Sequence, residues 1–290
     1  MAKNDTSISI LRKIVVDVFI LAGLTICVFA TALLMPRFTR GFYCNDESLM
    51  YPYHSDTVTT IVLRVVGLCL PILAFFICEY AYLHKERNDE HCFRIPIPAW
   101  VKGFYCTAVS FGIGVCFVEI ATNISKNTIG RPRPHFLDVC HPSIDCSLLE
   151  WQNRYIQAIE YTCTGNRTHL FQDMNKSFMS GHSSWAAYTM FYLALYLEKR
   201  MVWKATRVLR HTLQFVVVML SWFTALSRVS DYKHHWSDVL AGYSVGIIFA
   251  VIMYNCTDWV QKKKKHAPLP VYDISLAAQN AHQQSLPQSP

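Results

Sequence analysis

Residues 14–35, IVVDVFILAGLTICVFATALLM, form an almost unbroken apolar run. A helix needs roughly 20 such residues to cross a hydrocarbon layer about 30 Å thick. Five further candidate runs follow, at about 57–83, 98–122, 184–198, 212–227 and 239–259. Charged residues make up 16% of the 290-residue chain, against about 25% for a soluble domain. The pattern predicts an all-α polytopic membrane protein with six transmembrane helices. The first run has a basic start, Arg12 and Lys13, but it exceeds the usual signal-peptide core and no small-x-small site follows it. It is read as a retained span.

Charges within spans are costly and often functional. Glu79 and Lys102 sit near span ends, where long side chains can snorkel. Arg64 and Glu119 lie further in, and sequence leaves their roles open.

The net charge of +7 raises nucleic acid as a partner, but the basic residues gather in short segments between apolar runs, where orientation signals sit. Segments 1–13, 84–97, 199–211 and 260–266 share one side and carry the Lys/Arg excess, which predicts a cytosolic face and cytosolic termini. The chain then divides into a cytosolic N-terminus (1–13), one membrane domain (14–259) and a polar, disordered cytosolic tail (260–290). Lys262–Lys265 suits either anionic headgroups or a stop-transfer flank. Loops 36–56, 123–183 and 228–238 face the opposite side. The sequon at Asn166 falls in the longest of them, which agrees with an extracellular or luminal position and predicts glycosylation. Cys44, Cys140, Cys146 and Cys163 lie in polar segments of that same side. An oxidising compartment would favour a disulfide among them, with pairing undetermined.

Three polar clusters converge at the outer ends of spans. KNTIGRPRPHF carries Lys126, Arg131 and Arg133 between rigid prolines. Guanidinium groups match phosphate oxygens bidentately and lysine adds a point charge. A basic flank binding headgroups nonspecifically is the plainer alternative. SFMSGHSSW opens a helix, whose first amides lack internal partners and favour anions. Ser180 and Gly181 could cradle a phosphate beside His182, or Ser180 could be an ordinary N-cap. SRVSDYKHHWSD adds Arg228, His234, His235 and Asp238. On a helix, positions 234 and 238 are one turn apart, so Asp238 could accept the ring N–H of His234 and free the other nitrogen to attack. His235 is three residues from Asp238, and spacing does not exclude it. A metal held by these histidines would sit among Lys126, Arg133 and Arg228, so an anionic ester suits the cluster better; no metal and no cofactor is expected.

Together the clusters resemble the signature of the type 2 phosphatidic acid phosphatase superfamily: K-x6-RP, PSGH and SR-x5-H-x3-D. Here these are Lys126 to Pro134, Met179 to His182, and Ser227-Arg228 through His234 to Asp238. Met179 stands where the signature has proline. Within the superfamily the wording is similar to animal lipid phosphate phosphatases, including insect Wunen-like members. The resemblance implies a haloperoxidase-like helical core and a magnesium-independent phosphatase in phospholipid metabolism and lipid signalling. It implies His234 as nucleophile, Asp238 orienting it, and His182 as proton donor to the leaving alkoxide. It implies Lys126, Arg133, Ser180, Gly181 and Arg228 as phosphoryl ligands, and gives no role to Arg131 or His135. Implied substrates are phosphatidate, lysophosphatidate, sphingosine 1-phosphate and ceramide 1-phosphate, met at the plasma membrane or at an internal membrane with a luminal site. Homo-oligomers are common in the family. A lipid phosphotransferase on the same fold and a non-catalytic scaffold are the competing readings.

Overall fold

The computed structural model describes residues 2–86, 91–92 and 95–261. Helix α1 (Ala2–Leu33) leads through strand β1 (Phe42–Tyr43) to α2 (Thr60–Leu83). Strand β2 (His91–Cys92) then pairs antiparallel with β3 (Ile95–Pro96). The long helix α3 (Ala99–Ile129) enters an irregular region that holds the short α4 (Phe136–Cys140) and strand β4 (Tyr155–Ile156). Helices α5 (Gly181–Arg200), α6 (Arg207–Ser230) and α7 (Trp236–Cys256) complete the bundle. Helix α1 runs unbroken from Ala2 through residue 13 to Leu33. The lysine run and nearly all of the 260–290 tail lie outside the described residues.

Five of the described helices are long and apolar enough to cross a membrane: Ser7–Leu33, Thr60–Leu83, Ala99–Ile129, Lys204–Ser230 and Trp236–Cys256. The expected sixth, at 184–198, forms as α5 but falls short of that mark, and the reason is its position. It packs against α2, α3, α6 and α7, so protein rather than lipid surrounds it. Its polar residues Ser183, Ser184, Thr189 and Arg200 are all buried. The lipid-compatible surface lies elsewhere, in outward apolar residues such as Phe19, Ile61 and Val208 on α1, α2 and α6.

The tightest contact is between α5 and α7. A β-carbon on Gly242 would lie 2.5 Å from the Ser180 carbonyl oxygen, and one on Gly246 would lie 2.4 Å from that of Ser184. Small residues one turn apart on α7 therefore let the two backbones meet. Beneath this seam is an aromatic core of Phe75, Phe111, Tyr188, Tyr192 and Tyr196. Glu79 does not snorkel as its place in the sequence suggested. It is fully buried and meets Arg200 Nε at 2.7 Å, because α5 brings an opposite charge to it.

A second, smaller core lies outside the bundle, built from Phe42, Leu49, Phe136, Val139, Ile156 and Tyr161. β1 and β4 pair antiparallel across it. Disulfides Cys44–Cys146 and Cys140–Cys163 tie it together, using the four cysteines of the polar segments. Together these links fold segments 42–56 and 131–179 into one cap over the ends of α3, α5 and α7.

Candidate active site

Helix α3 ends at Gly130, whose φ of +57° is costly for any residue with a β-carbon. That reversal carries the chain from Lys126, in the last turn of α3, into the Arg131–Pro134 segment above the bundle. The start of α5 and the turn between α6 and α7 meet it there. The three motifs, far apart in sequence, thus converge on one cavity of about 290 Å³. Its walls include Lys126, Arg133, Gly181, His182, Arg228 and His234.

His234 is buried, and its Nδ1 donates to the Ser177 carbonyl at 2.6 Å. This bond fixes the tautomer and leaves Nε2 with its lone pair. Burial holds the imidazole well below its ordinary pKa, and the charges of Arg133, Lys126 and Arg228 push the same way. His234 is therefore neutral at physiological pH. His182 Nε2 donates to the Val58 carbonyl at 3.2 Å, which leaves its Nδ1 uncommitted.

Asp238 takes a different place from the one its spacing suggested. Helix α7 begins only at Trp236, and His235, its N-cap, is extended at φ −70° and ψ 153°. His234 thus lies before the helix and is not one turn above Asp238. The carboxylate instead accepts from Ser177 Oγ at 2.5 Å, from the His235 backbone N–H at 3.2 Å and from Arg131 Nη1 at 2.6 Å. His235 Nδ1 also lies 3.2 Å from it. Asp238 reaches His234 through one residue, Ser177: it holds the hydroxyl while the same residue's carbonyl holds the imidazole.

The phosphate-binding candidates divide by their partners. Lys126 Nζ has no hydrogen-bond or ion-pair partner among the described residues and lies 3.3 Å from where a β-carbon on Gly181 would be. Arg228 is anchored to Asp56 at 2.6 Å and to the Val58 carbonyl at 3.2 Å, with Nε buried and unpaired. Arg133 is held by the side chain and carbonyl of Asp173 at 2.7 and 3.0 Å. The Ser180 side chain is turned inward to cap α5, accepting from the Ser183 amide at 3.4 Å and hydroxyl at 2.9 Å. From the Ser180–Gly181 pair, the cavity wall takes Gly181.

Several cavity residues were not singled out from sequence. Lys233 sits 3.7 Å from the Tyr53 ring centre, and burial draws its pKa down to about 8. His135 Nδ1 donates to the Tyr232 carbonyl, 2.8 Å away, and burial lowers its pKa to about 4. Burial raises Asp56, but its hydrogen bond and charge pairing with Arg228 outweigh that and leave its carboxyl below the usual range. For Lys233 the signal was available, since it lies inside the third motif. Asp56 and Asp173 come from loops without any motif. In all, Arg64, Lys126, Arg133, Arg228 and Lys233 face Asp56, Glu119 and Asp173 across the cavity. With neutral histidines the site carries excess positive charge, which suits a phosphate dianion.

The PAP2 superfamily profile matches residues 107–262. A Drosophila melanogaster protein named putative phosphatidate phosphatase is 40% identical over 276 residues, covering 89% of this chain and 72% of its own. Phospholipid phosphatase 1 of Rattus norvegicus is 38% identical over 245 residues, 84% of each chain. Phospholipid phosphatase 2 of Homo sapiens is 37% identical over 218 residues, 74% of this chain and 72% of its own. No solved structure matches. With a profile over more than half of the chain and relatives at up to 40% identity, the chain belongs to the PAP2 superfamily.

Proposed function

We propose that this chain is a metal-independent lipid phosphate phosphatase acting through a phosphohistidine. The observation that carries the reading is a neutral histidine with a free Nε2 among five cations and three carboxylates in one cavity. His234 Nε2 attacks phosphorus, and the bond to the lipid oxygen breaks in line. His182, protonated at its uncommitted Nδ1 when the phosphate dianion is bound, gives that proton to the departing alkoxide and releases the lipid alcohol. His182 then takes a proton from water, whose oxygen attacks the phosphohistidine and frees inorganic phosphate. Lys126, Arg228, Arg133 and the Gly181 amide stabilise charge on the equatorial oxygens, the work a metal does elsewhere.

The membrane setting supports phosphatidate, lysophosphatidate, sphingosine 1-phosphate and ceramide 1-phosphate as substrates, since the tails stay in lipid while the headgroup reaches the cavity. On this reading α5 is the sixth span, shielded from lipid by its neighbours. Two disulfides and the exposed Asn166 sequon support an extracellular or luminal face for the cavity and a glycan at Asn166.

The test is phosphate release from detergent-solubilised protein in excess EDTA, with phosphatidate and lysophosphatidate, and His234→Ala alongside. Release by wild type and none by the variant is expected. No release by folded wild type would overturn the reading in favour of a phosphotransferase or scaffold. Activity lost to chelator and restored by magnesium would return a metal to the site.

A further inference from the structure

Beneath the phosphate-binding groups the cavity has a second polar layer that the mechanism does not use. Arg64 of α2 meets Glu119 of α3 at 3.0 Å, and its guanidinium lies 4.9 Å from the ring centre of Trp185 of α5. All three line the same cavity as His182 and His234. Their depth follows from helix rise. Arg64 is four residues into the bundle from Thr60, about 6 Å, and Glu119 is seven residues below Lys126, about 10 Å. Trp185 is one turn below His182.

A charged pair at this depth is costly unless it does something. Its exposure sets it apart from a structural pair: Arg64 is 51% and Glu119 18% exposed, whereas Glu79 and Arg200 are at or below 1%. A substrate whose phosphate sits among Lys126, Arg228 and His234 would place the first carbons of its alcohol at this second layer. In lipid phosphates those carbons carry a hydroxyl, an ester or an ammonium group. Glu119 can only accept and Arg64 can only donate.

Resting on the phosphatase reading, we infer that the Arg64–Glu119 pair is a specificity subsite that reads a hydrogen-bond donor on the substrate carbon next to the phosphoester carbon. Glu119 accepts from the hydroxyl or ammonium, Arg64 holds the carboxylate in place, and Trp185 packs the stem of the alcohol. A site built to bind a donor discriminates against substrates that lack it, because its own polar groups are then left unpaired.

The experiment compares kcat/KM for oleoyl lysophosphatidate, its 2-deoxy analogue and octadecyl phosphate in mixed micelles. Wild type should prefer lysophosphatidate over the 2-deoxy analogue by about tenfold, the scale of one hydrogen bond to a charged group. Equal values would overturn the inference. In the double variant Arg64→Met/Glu119→Leu, which leaves neither charge alone, that preference should collapse to within about twofold. A folded double variant that keeps the wild-type preference would also overturn it. If the double variant does not fold, the wild-type comparison still decides. Failure of wild type to hydrolyse any of the three would overturn the phosphatase reading itself, and the subsite with it.

Discussion

The two ends of α5 each bury charge, and they do so in opposite ways. At the Arg200 end the charges balance. Arg200 Nε meets Glu79 at 2.7 Å, its Nη1 donates to the Val260 carbonyl at 2.8 Å, and its guanidinium faces the Tyr82 and Trp259 rings at 5.1 and 5.2 Å. At the Gly181 end, five cations face three carboxylates, and Lys126 Nζ has no partner among the described residues. A balanced buried pair has its counter-charge within the chain, even though Glu79 Oε2 and Arg200 Nη2 lack hydrogen-bond partners among the described residues. An excess of one sign is costly until a ligand of the other sign arrives. Burial alone does not mark a functional charge; imbalance does.

Removing charge at the two ends should therefore have opposite consequences for stability. Glu79→Ala leaves Arg200 buried without a counter-charge, at a cost of about 3–5 kcal/mol. Thermal unfolding in detergent should show it as a large drop in melting temperature, while turnover per folded molecule persists. Replacing both members with apolar residues, Glu79→Leu/Arg200→Met, should recover most of that loss. Lys126→Ala reverses the pattern. It relieves repulsion in the cavity, so the melting temperature should hold or rise, while kcat/KM falls by roughly 10²–10³-fold. A Lys126→Ala protein that is unstable but active would erase the contrast.

A smaller effect is expected at Arg131, which acts on Asp238 and not on phosphate. Arg131→Ala should lower kcat by about tenfold, the scale of one charge-assisted hydrogen bond. Because the loss passes through Ser177 to the His234 imidazole, the acid limb of the kcat profile should move as well. Arg131→Lys should restore part of both. Loss confined to KM would instead make Arg131 a phosphate ligand.

The smallest effect concerns pH. Burial draws Lys233 down to about 8, so it loses its charge as pH rises through that value. Wild-type kcat/KM should fall on the alkaline side near pH 8, and Lys233→Arg, which keeps its charge there, should make that fall shallower. His234, held neutral well below its ordinary value, should place the acid limb below the range of a free histidine. An alkaline limb unmoved by Lys233→Arg would remove Lys233 from the phosphate cluster.

What could be read in the sequence was local. Apolar runs gave the helices, and three motifs gave most of the cavity, since each is a short stretch whose residues stay together when folded. What escaped was long-range or depended on where a helix starts. Asp56 reaches Arg228 across 172 residues, and the cap that holds it is closed by a disulfide spanning 102. No periodicity records such contacts. The spacing of His234 and Asp238 predicts a direct bond only on a continuous helix, whereas α7 begins two residues too late for it. Arg131 lies outside the motif, which gives it no role, yet it is the cation that holds Asp238. Arg64 and Glu119, 55 residues apart, became a pair only once α2 and α3 lay side by side.

His234, which lines the cavity with a free Nε2, is expected to take the phosphoryl group, and His235, which does not line it, is not. Acid-labile phosphate can be trapped by quenching turnover of lysophosphatidate in EDTA within milliseconds and locating the modified residue by mass spectrometry under neutral digestion. Phosphate on His234, absent from His234→Ala and retained in His235→Ala, is the expected result. Phosphate on His235, or steady turnover with full activity in His234→Ala, would contradict it.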